Sequence, residues 1–338
     1  MRLIAISCVK NEEDIVEAFV RHTLSYVDQV VMLDNGSGDK TKEILYSLQT
    51  EGLSVDIIED ATIGHWHEKR MNFLMREYAL TKYGADGIVP LDVDEIIVAE
   101  DLSTFRSTIC TSTLPVKIGW RSYIPDPSDD STEINPVLRI RFRLVKEGTR
   151  SKKVMVPTRI VRGRKNISLS QGNHNLIANG KSLKSFHLDG AYLAHIPIRG
   201  PGQYAAKVAV KYLQYRSMAK KENTWGWHYK TPYELMKSDP RTFLDTYRDA
   251  ALRFAVRPER GFEPEAILDP IPYGGSTLRY TATADDKWRP LRLILKYAEE
   301  LALGYCDLSL RHDRALDEVR RPRSIMKALT SLFSFRGW

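Results

Sequence analysis

The chain has 338 residues, of which 43% are hydrophobic and 28% charged, and its formal net charge is +7. This composition indicates a globular protein with one large domain or two unequal ones, and charges interrupt every apolar run too early for a transmembrane helix. The basic excess favours phosphate-rich ligands or anionic membrane surfaces and is too small to indicate nucleic acid.

The N-terminal residues 1–6 are mainly apolar and lead directly into a polar cluster at 10–14. We expect a buried strand there and not a signal peptide. The three cysteines, Cys8, Cys110 and Cys306, are far apart and match neither a disulfide framework nor a zinc spacing. These features predict a cytoplasmic protein.

Strand and helix patterns alternate over the first hundred residues. The predicted order is strand 3–9, helix 14–25, strand 29–33, helix 41–49, strand 54–58, helix 67–83 and strand 88–91. Short connections in such an alternation predict an α/β fold with a Rossmann-like, mostly parallel sheet and helices on both faces. Ligands of these sheets bind beyond the carboxyl ends of the strands. The residues expected at that edge are Lys10, Asn11, Asp34, Asn35, Asp60, Asp92 and Asp94.

The most informative segment is the acidic motif that follows the fourth predicted strand, at residues 91–97. Strand alternation predicts Asp92 and Asp94 on the same side of the backbone. Two ionised carboxylates side by side repel each other, so a cation is expected with them. Oxygen ligands suit Mg²⁺ or Mn²⁺, which often complete their coordination with substrate phosphates. The alternative is a strand that leaves the core into an acidic turn.

Beyond residue 116 the pattern changes. Residues 138–144 alternate between apolar side chains and arginines, which predicts a strand. Residues 139–165 hold eleven Lys or Arg and one acid, Glu147. This stretch is either a solvated surface or a wall that attracts a diphosphate or an anionic acceptor. The chain after residue 201 is predicted to be mainly helical, with helices at 204–219, 232–236, 241–255 and 290–303.

We therefore expect a catalytic domain at 1–200 and a helical C-terminal extension at 201–338. The tail at 311–338 has seven Lys or Arg and three Asp or Glu, a net of +4. Its segment 324–338 places apolar residues on one helical stripe. Such a segment can lie on an anionic bilayer or dock on its own domain.

Four sequence elements occur in order over the first hundred residues, namely Cys8-Val9-Lys10-Asn11-Glu12-Glu13, Asp34-Asn35-Gly36-Ser37-Gly38-Asp39-Lys40-Thr41, Arg70-Met71-Asn72 and Asp92-Val93-Asp94-Glu95. In order and spacing they resemble family 2-type glycosyltransferases with the GT-A fold, and the Asp-x-Asp-Glu version is similar to the "glycosyl transferase family 2, type 4" branch, near family 92.

The resemblance implies a metal-dependent, inverting transfer of a sugar from a nucleotide-diphosphate sugar to a hydroxyl of a glycan or glycolipid, in polysaccharide or glycoconjugate synthesis. Mn²⁺ or Mg²⁺ would be bound by Asp92, Asp94 and His195, although His195 is alternatively a core residue. The nucleotide-sugar would be held by Val9, Asn11, Asp34, Asn35, Asp60, Arg70, Asn72, Asp92 and Arg199.

The acceptor hydroxyl needs a base, and the candidates are Glu95, Asp126 and Asp189, with Glu133 as a further one. Processive relatives carry a Gln-x-x-Arg-Trp box, which this chain lacks, so we expect one sugar per transfer. Alternatives are a non-catalytic sugar- or membrane-binding protein on the same fold, or a nucleotidyltransferase. A phosphohydrolase with an Asp nucleophile is disfavoured, because it needs Asp-x-Asp near the first strand. The expected location is cytoplasmic, with peripheral contact to the inner membrane face as an option for the basic tail.

Overall fold

The structure is a computed structural model that describes residues 1–147, 152–217, 227–254, 264–281 and 288–320. The first part of the chain alternates strands and helices as predicted. Its elements are β1 (Leu3–Val9), α1 (Val16–Thr23), β2 (Gln29–Asp34), α2 (Thr41–Thr50), β3 (Val55–Glu59), α3 (His67–Phe73), a π-helical continuation at Leu74–Lys82, and β4 (Gly87–Leu91).

The middle of the chain, from residue 95 onwards, contains mainly strands. Its elements are β5 (Glu95–Ala99), α4 (Leu102–Thr111), β6 (Val116–Ile124), α5 (Pro136–Arg139), β7 (Phe142–Leu144), β8 (Lys152–Pro157), α6 (Thr158–Val161), β9 (Ile167–Leu169), a 3-10 turn at Gln171–Asn173, β10 (Leu176–Ala178), β11 (Lys181–Ser182) and β12 (Phe186–His195). The C-terminal elements are α7 (Pro201–Arg216), α8 (Trp227–Ser238), α9 (Pro240–Asp245), α10 (Tyr247–Leu252), β13 (Ala266–Leu268) and α11 (Arg289–Arg320).

The main sheet has the strand order β13-β7-β6-β8-β4-β1-β2-β3, with β12 paired to both β5 and β6. Its N-terminal half is parallel, because β1 pairs in parallel with β2 and β4, and β2 with β3. Strand β8 joins this half to the rest by antiparallel pairing with β4 and β6. A small second sheet has the order β11-β10-β9. The predicted α/β class, in which a parallel N-terminal sheet lies between helices, is confirmed.

Two apolar layers enclose β1. Alternate strand residues point to opposite faces, and Leu3 accordingly belongs to the layer that contains Phe19 of α1, whereas Ile4 belongs to the layer that contains Met71 of α3. All five residues of β4 are buried. A strand covered on both faces needs such a continuous apolar run, so the polar side chains next to β4 lie beyond its ends.

The strand predicted at 138–144 is wrong in its first half. Residues Pro136–Arg139 form the short helix α5, and only Phe142–Leu144 is a strand. The Asn135 side chain accepts a hydrogen bond from the Val137 amide at 3.0 Å, and Pro136 occupies the first turn. An Asn cap followed by proline is a helix start signal that overrides the alternating pattern.

The helix predicted at 241–255 is also divided. Its described part forms α9 and α10, with a break at Thr246. Asp239 begins α9 by accepting from the Thr242 amide at 3.1 Å. The other helices predicted after residue 201 correspond to α7, α8 and the first part of α11.

Contacts divide the chain into a unit at residues 1–294 and a second unit at 295–338. The described residues of the second unit, 295–320, belong to α11 and expose several large apolar side chains, including Leu303 and Leu308. The boundary predicted near residue 200 stays a prediction, and the predicted helix at 324–338 lies outside the described residues. Among the described helices, none is long and apolar enough to cross a membrane.

Candidate active site

The ends of the parallel strands meet at one edge of the sheet. Val9 is in register with Asp34 across β1 and β2, and Ser7 with Leu91 across β1 and β4. The Asp60 amide donates to the Asp34 carbonyl at 2.9 Å, which continues the edge beyond β3. The polar residues expected at this edge therefore follow neighbouring strands.

The acidic motif is a turn between β4 and β5. The Glu95 amide donates to the Asp92 carbonyl at 3.0 Å, and the Ile196 amide donates to the Asp94 carbonyl at 2.8 Å, which fixes the turn to the end of β12. Strand alternation was predicted to place Asp92 and Asp94 on the same side of the backbone. This reasoning is wrong, because β4 ends at Leu91 and β5 begins at Glu95, so neither aspartate lies in a strand. The turn instead directs each carboxylate to a different lysine.

Asp92 is paired with a lysine from β8. The Lys153 ammonium is 2.6 Å from Asp92 Oδ2 and 3.2 Å from Glu95 Oε1, and His67 Nε2 is 3.2 Å from Asp92 Oδ1. Burial opposes ionisation of Asp92, but Lys153 and His67 together outweigh it and hold the pKa of Asp92 well below its usual value. Asp92 is therefore an anion at neutral pH.

Asp94 is paired with a lysine from α7. The Lys207 ammonium donates to Asp94 Oδ2 at 2.7 Å and to the Pro197 carbonyl at 2.9 Å. Burial again opposes ionisation, but the charge and hydrogen bond of Lys207, together with His195, outweigh it, so the pKa of Asp94 is lowered. On the other side of Asp94, His195 Nε2 lies 3.9 Å from Oδ1.

His195 is a buried, neutral imidazole. Its ring stacks on Trp120 at a centroid distance of 4.3 Å, and burial lowers the pKa of His195 to about 4. A neutral imidazole is the form that binds a metal. It is held beside Asp94 because His195 is the last residue of β12, in register with Glu95.

The donor chemistry of this edge fits a divalent ion. Two carboxylates and one imidazole are the ligand types that suit Mn²⁺ or Mg²⁺, and the 3.9 Å between Asp94 Oδ1 and His195 Nε2 is less than twice a metal–ligand bond of about 2.1 Å. Over the ranges that the structure describes, however, no three His, Cys, Asp or Glu side chains already converge on one point. An ion would have to draw these ligands together.

The turn after β2 is held by residues that follow β1. Lys10 Nζ donates to the carbonyls of Asn35 and Gly36, at 3.0 and 2.8 Å. Asn11 adopts a positive φ of 61°, and its Oδ1 accepts from the Gly38 amide at 2.7 Å. Asp34 is 2% exposed, and its Oδ1 has no hydrogen-bond partner within the described part of the chain.

A small pocket lies between the segment that follows β1 and one face of α7, and Lys207, which contacts Asp94, is part of its wall. Three lysines bring positive charge to it. The lining residues are Lys10, Asn11, Glu12, Gln203, Ala206, Lys207, Val210, Lys211 and Gln214. Of the predicted site residues, the structure brings only Asn11 to this pocket.

Arg70 and Asn72, predicted near the diphosphate, hold other parts of the protein. Arg70 donates to Asp60 Oδ2 at 2.8 Å and to the Thr62 carbonyl at 2.7 Å, which fixes the loop after β3. Asn72 exchanges two hydrogen bonds with the backbone of Leu169, at 2.7 and 3.0 Å. Their contact with a nucleotide stays a prediction.

Arg199 is also ion-paired. It is 3% exposed, contacts Asp14 Oδ2 at 2.6 Å and pairs with Glu12. Asp14 in turn contacts Arg289 of α11 at 3.3 Å. Burial opposes the charge on Asp14, but the two guanidinium groups outweigh it and lower its pKa. Arg199 thus connects the end of β12 to the segment after β1, and its contact with the diphosphate stays a prediction.

The three main candidate bases lie in different places. Glu95 is fully buried beneath the acidic turn. Asp189 has a 96% exposed side chain and precedes the register pair Ala191–Ala99, at the end of β5 opposite Glu95. Asp126 follows β6 and contacts Arg248 at 3.2 Å. The structure does not bring Asp189 to the acidic motif.

Sequence reasoning missed Lys153, Lys207 and Lys211. The signal for the α7 pair was present, because residues 203, 207, 211 and 214 follow helical spacing and place four polar side chains on one face. Lys153 carried no such signal, since it is one of eleven basic residues in its stretch.

No protein-family model matches the chain, and no curated protein matches it. Solved structures do match. S. aureus TarS 1–349 in complex with UDP is 13% identical, with a TM-score of 0.35 over 77% of this chain and 76% of that chain. The mannosyltransferase PcManGT from Pyrobaculum calidifontis, in complex with GDP-Man and Mn²⁺, is 14% identical, with a TM-score of 0.37 over 76% of each chain. Glucosyl-3-phosphoglycerate synthase from Mycobacterium tuberculosis, in complex with Mn²⁺ and UDP, is 19% identical, with a TM-score of 0.26 over 36% of this chain and 44% of that chain. Scores this low do not establish a shared function.

Proposed function

We propose that this protein is a metal-dependent glycosyltransferase that moves one sugar from a nucleotide-diphosphate sugar to a hydroxyl acceptor. The observation that carries the proposal is the meeting of two features at one sheet edge. Asp94 lies in the acidic turn, and its partner Lys207 also lines the adjacent pocket with Lys10 and Lys211. Carboxylates suit a divalent ion, and lysines suit phosphate oxygens.

The nucleoside would bind over the ends of β1 and β2. Asp34 Oδ1 supports this placement, because a buried carboxylate oxygen without a donor is costly, and a base N–H or a ribose hydroxyl would supply one. Asn35 would contribute from the same turn. The diphosphate would then extend into the pocket beside Asn11, where the lysines attract it.

Asp92, Asp94 and His195 would hold Mn²⁺ or Mg²⁺. When bound, such an ion neutralises charge that develops on a departing diphosphate. Two features of these side chains favour binding of the ion. Lysine charges keep both aspartates ionised, and burial keeps His195 neutral.

The acceptor side follows the family resemblance. We expect inversion at the anomeric carbon with a single base, and a glycan or glycolipid acceptor in polysaccharide or glycoconjugate synthesis. The enzyme would work in the cytoplasm, and the basic tail would allow contact with the inner membrane face.

The test is nucleotide binding and donor turnover by the purified full chain. UDP, GDP and dTDP are titrated by calorimetry with Mn²⁺, Mg²⁺ or EDTA, and the corresponding sugars are assayed for diphosphate release. We expect one nucleotide to bind, with a dependence on metal, and Asp94→Asn to lower donor turnover by about 100-fold or more. The matched control is Asp249→Asn, which removes a carboxylate from a half-exposed ion pair with Arg253 and should behave as wild type.

Three results would contradict the proposal. Release of pyrophosphate from a nucleoside triphosphate would favour a nucleotidyltransferase. Sugar binding without nucleotide binding would favour a non-catalytic protein on the same fold. Nucleotide turnover that Asp94→Asn leaves unchanged would place the chemistry away from the acidic turn.

A further inference from the structure

Lys207 occupies the boundary between the acidic turn and the lysine-lined pocket. Its ammonium contacts Asp94 Oδ2 at 2.7 Å and the Pro197 carbonyl at 2.9 Å, and only 10% of its side chain is exposed. The same side chain lines the pocket. One positive charge is therefore shared between a place that would attract a metal and a place that would attract an anion.

A divalent ion and Lys207 compete for Asp94. An ion bound to Asp94 Oδ1 would lie close to an ammonium bound to Oδ2 of the same carboxylate, and like charges at such a separation repel in a partly buried site. While Lys207 neutralises Asp94, the carboxylate is a weaker metal ligand. Binding of the ion thus requires the ammonium to move away.

The pocket offers a destination for the displaced ammonium. A lysine carries a compact charge on a flexible stem, and α7 places Lys211 one turn from Lys207 on the same pocket wall. An ammonium that leaves Asp94 needs a new anionic partner, and phosphate oxygens in the pocket would provide it. Nothing in this step requires α7 to move.

We propose that Lys207 is an internal counter-ion that competes with the divalent ion for Asp94 and, once displaced, binds phosphate in the adjacent pocket. The inference rests on the proposed function, since it assumes a divalent ion and a diphosphate at this edge. It adds that the metal and the diphosphate increase each other's affinity, because each favours the same position of Lys207.

The first test measures Mn²⁺ binding alone, from the EPR signal of free Mn²⁺, with folding checked by circular dichroism. Lys207→Gln keeps a hydrogen-bond donor and loses the charge, so it should bind Mn²⁺ about tenfold more tightly than wild type. Lys207→Arg keeps the charge and should stay close to wild type. Lys211→Gln removes a charge from the same pocket but not from Asp94, so it should weaken binding of inorganic pyrophosphate without tightening Mn²⁺.

A second measurement uses the wild-type chain and does not depend on a variant folding. Reductive methylation of lysines, read by mass spectrometry, should label Lys207 faster when Mg²⁺ is added, because the ammonium leaves its buried pair. Pyrophosphate added with Mg²⁺ should slow that labelling again. Lys82, which is paired with Asp56 of β3 and not with a proposed metal ligand, is the internal reference and should not change.

The outcomes distinguish a failure of the Lys207 inference from a failure of the proposed function. If Asp94→Asn abolishes Mn²⁺ binding while Lys207→Gln binds no more tightly than wild type, Lys207 is not a competitor, and the proposed function stands. Mg²⁺ binding without a change in Lys207 labelling has the same meaning. If neither wild type nor Lys207→Gln binds Mn²⁺, the proposed metal site is wrong and this inference fails with it.

Discussion

The Lys153 ammonium lies 2.6 Å from Asp92 Oδ2 and 3.2 Å from Glu95 Oε1, and its side chain has no exposed surface. One positive charge thus serves two carboxylates, and the shorter contact is with Asp92. Burial raises the pKa of Glu95 to about 8, against the opposing effect of Lys153. The acidic turn therefore contains an anion at Asp92 and a largely neutral acid at Glu95 near pH 7.

This arrangement predicts that Lys153→Met destabilises the protein. Removal of the lysine leaves Asp92 without its counter-charge at the base of the turn, and loss of one partner from a buried ion pair costs about 3 to 5 kcal/mol. Because the Asp92 side chain is 36% exposed and water relieves part of the cost, we expect about 3 kcal/mol. Urea unfolding of wild type and Lys153→Met at pH 7 measures this difference in the free energy of unfolding.

The matched control is Lys152→Met, one residue earlier in β8. Adjacent strand residues point to opposite faces, so this side chain does not reach Asp92. We expect a change within about 0.5 kcal/mol. If the two variants have equal stability, Lys153 does not compensate the acidic turn.

The burial of His22 leads us to expect that the protein loses stability on mild acidification. The Gly274 amide donates to Nδ1 at 2.9 Å, so Nε2 carries the hydrogen that faces the Ile97 carbonyl at 2.6 Å. Burial lowers the pKa of His22 below its usual 6.5. The unfolded chain therefore binds a proton below pH 6.5 that the folded chain resists, and stability falls as pH decreases, by at most about 1.4 kcal/mol per pH unit.

The measurement compares unfolding free energies of wild type and His22→Gln from pH 7.5 to 5. Glutamine has no titrating ring, so the variant should lack this component of the slope, and the two curves should converge as pH falls. Hydrogen exchange at the Gly274 amide gives a local readout, since protonation of Nδ1 removes its acceptor. Parallel curves would show that His22 does not titrate differently in the folded state.

The hydrogen bonds of Glu17 indicate that its carboxylate anchors residues 279–281 to α1. It is fully buried and accepts from the amides of Arg279, Tyr280 and Thr281 at 2.7, 2.8 and 2.7 Å. Burial opposes its charge, but these hydrogen bonds outweigh burial and lower the pKa of Glu17. Its contribution is thus complete above the unfolded value of 4.5 and is lost as pH decreases below it.

We expect Glu17→Gln to lower the free energy of unfolding at pH 7 by about 2 to 4 kcal/mol, because several charge-assisted hydrogen bonds weaken together. Amide exchange at 279–281 should accelerate more than exchange in β1. Equal acceleration at both places would mean that the variant lowers global stability without releasing the segment. Glu43→Gln, on the exposed side of α2, is the control and should leave both rates unchanged.

The N-terminal fold was predictable because its signals are local. The strands β1, β2 and β4 are mainly apolar runs bounded by polar turns, which is the pattern typical of a parallel sheet covered on both faces. The polar residues that follow these strands lie at one edge of the sheet, because the carboxyl ends of parallel strands meet there. The error at 138–144 was local as well, since the Asn135 cap outweighed the periodicity.

The ion pairs of the acidic turn could not be predicted in this way. Lys153 is 61 residues from Asp92, and Lys207 is 113 residues from Asp94. Such contacts depend on how β8 and α7 are assembled around β4, which no local pattern encodes. The same holds for Arg199, whose partners Glu12 and Asp14 lie 187 and 185 residues away.

The geometry favours Asp126 as the base that accepts the proton of the acceptor hydroxyl in the proposed transfer. Strand β6 runs parallel to β12, with Ser122 in register with His195, so the loop that carries Asp126 leaves the sheet at the same edge as the acidic turn. Asp189 lies at the end of β5 opposite Glu95. We therefore expect Asp126→Asn to lower kcat by about 100-fold with little change in donor binding, and Asp189→Asn to retain wild-type kinetics.

The control separates proton transfer from loop support. Asp126 contacts Arg248 at 3.2 Å, so Asp126→Asn also weakens an ion pair. Arg248→Gln weakens the same pair and leaves the carboxylate in place, and it should therefore retain most of the turnover. Only the Asp126 variant should lose the acidic limb of the pH–rate profile, since that limb reports the protonation of the base. An equal loss of turnover in both variants would assign Asp126 a positioning role. If Asp126→Asn keeps wild-type turnover, the remaining candidates for the base are Glu133 and Glu95.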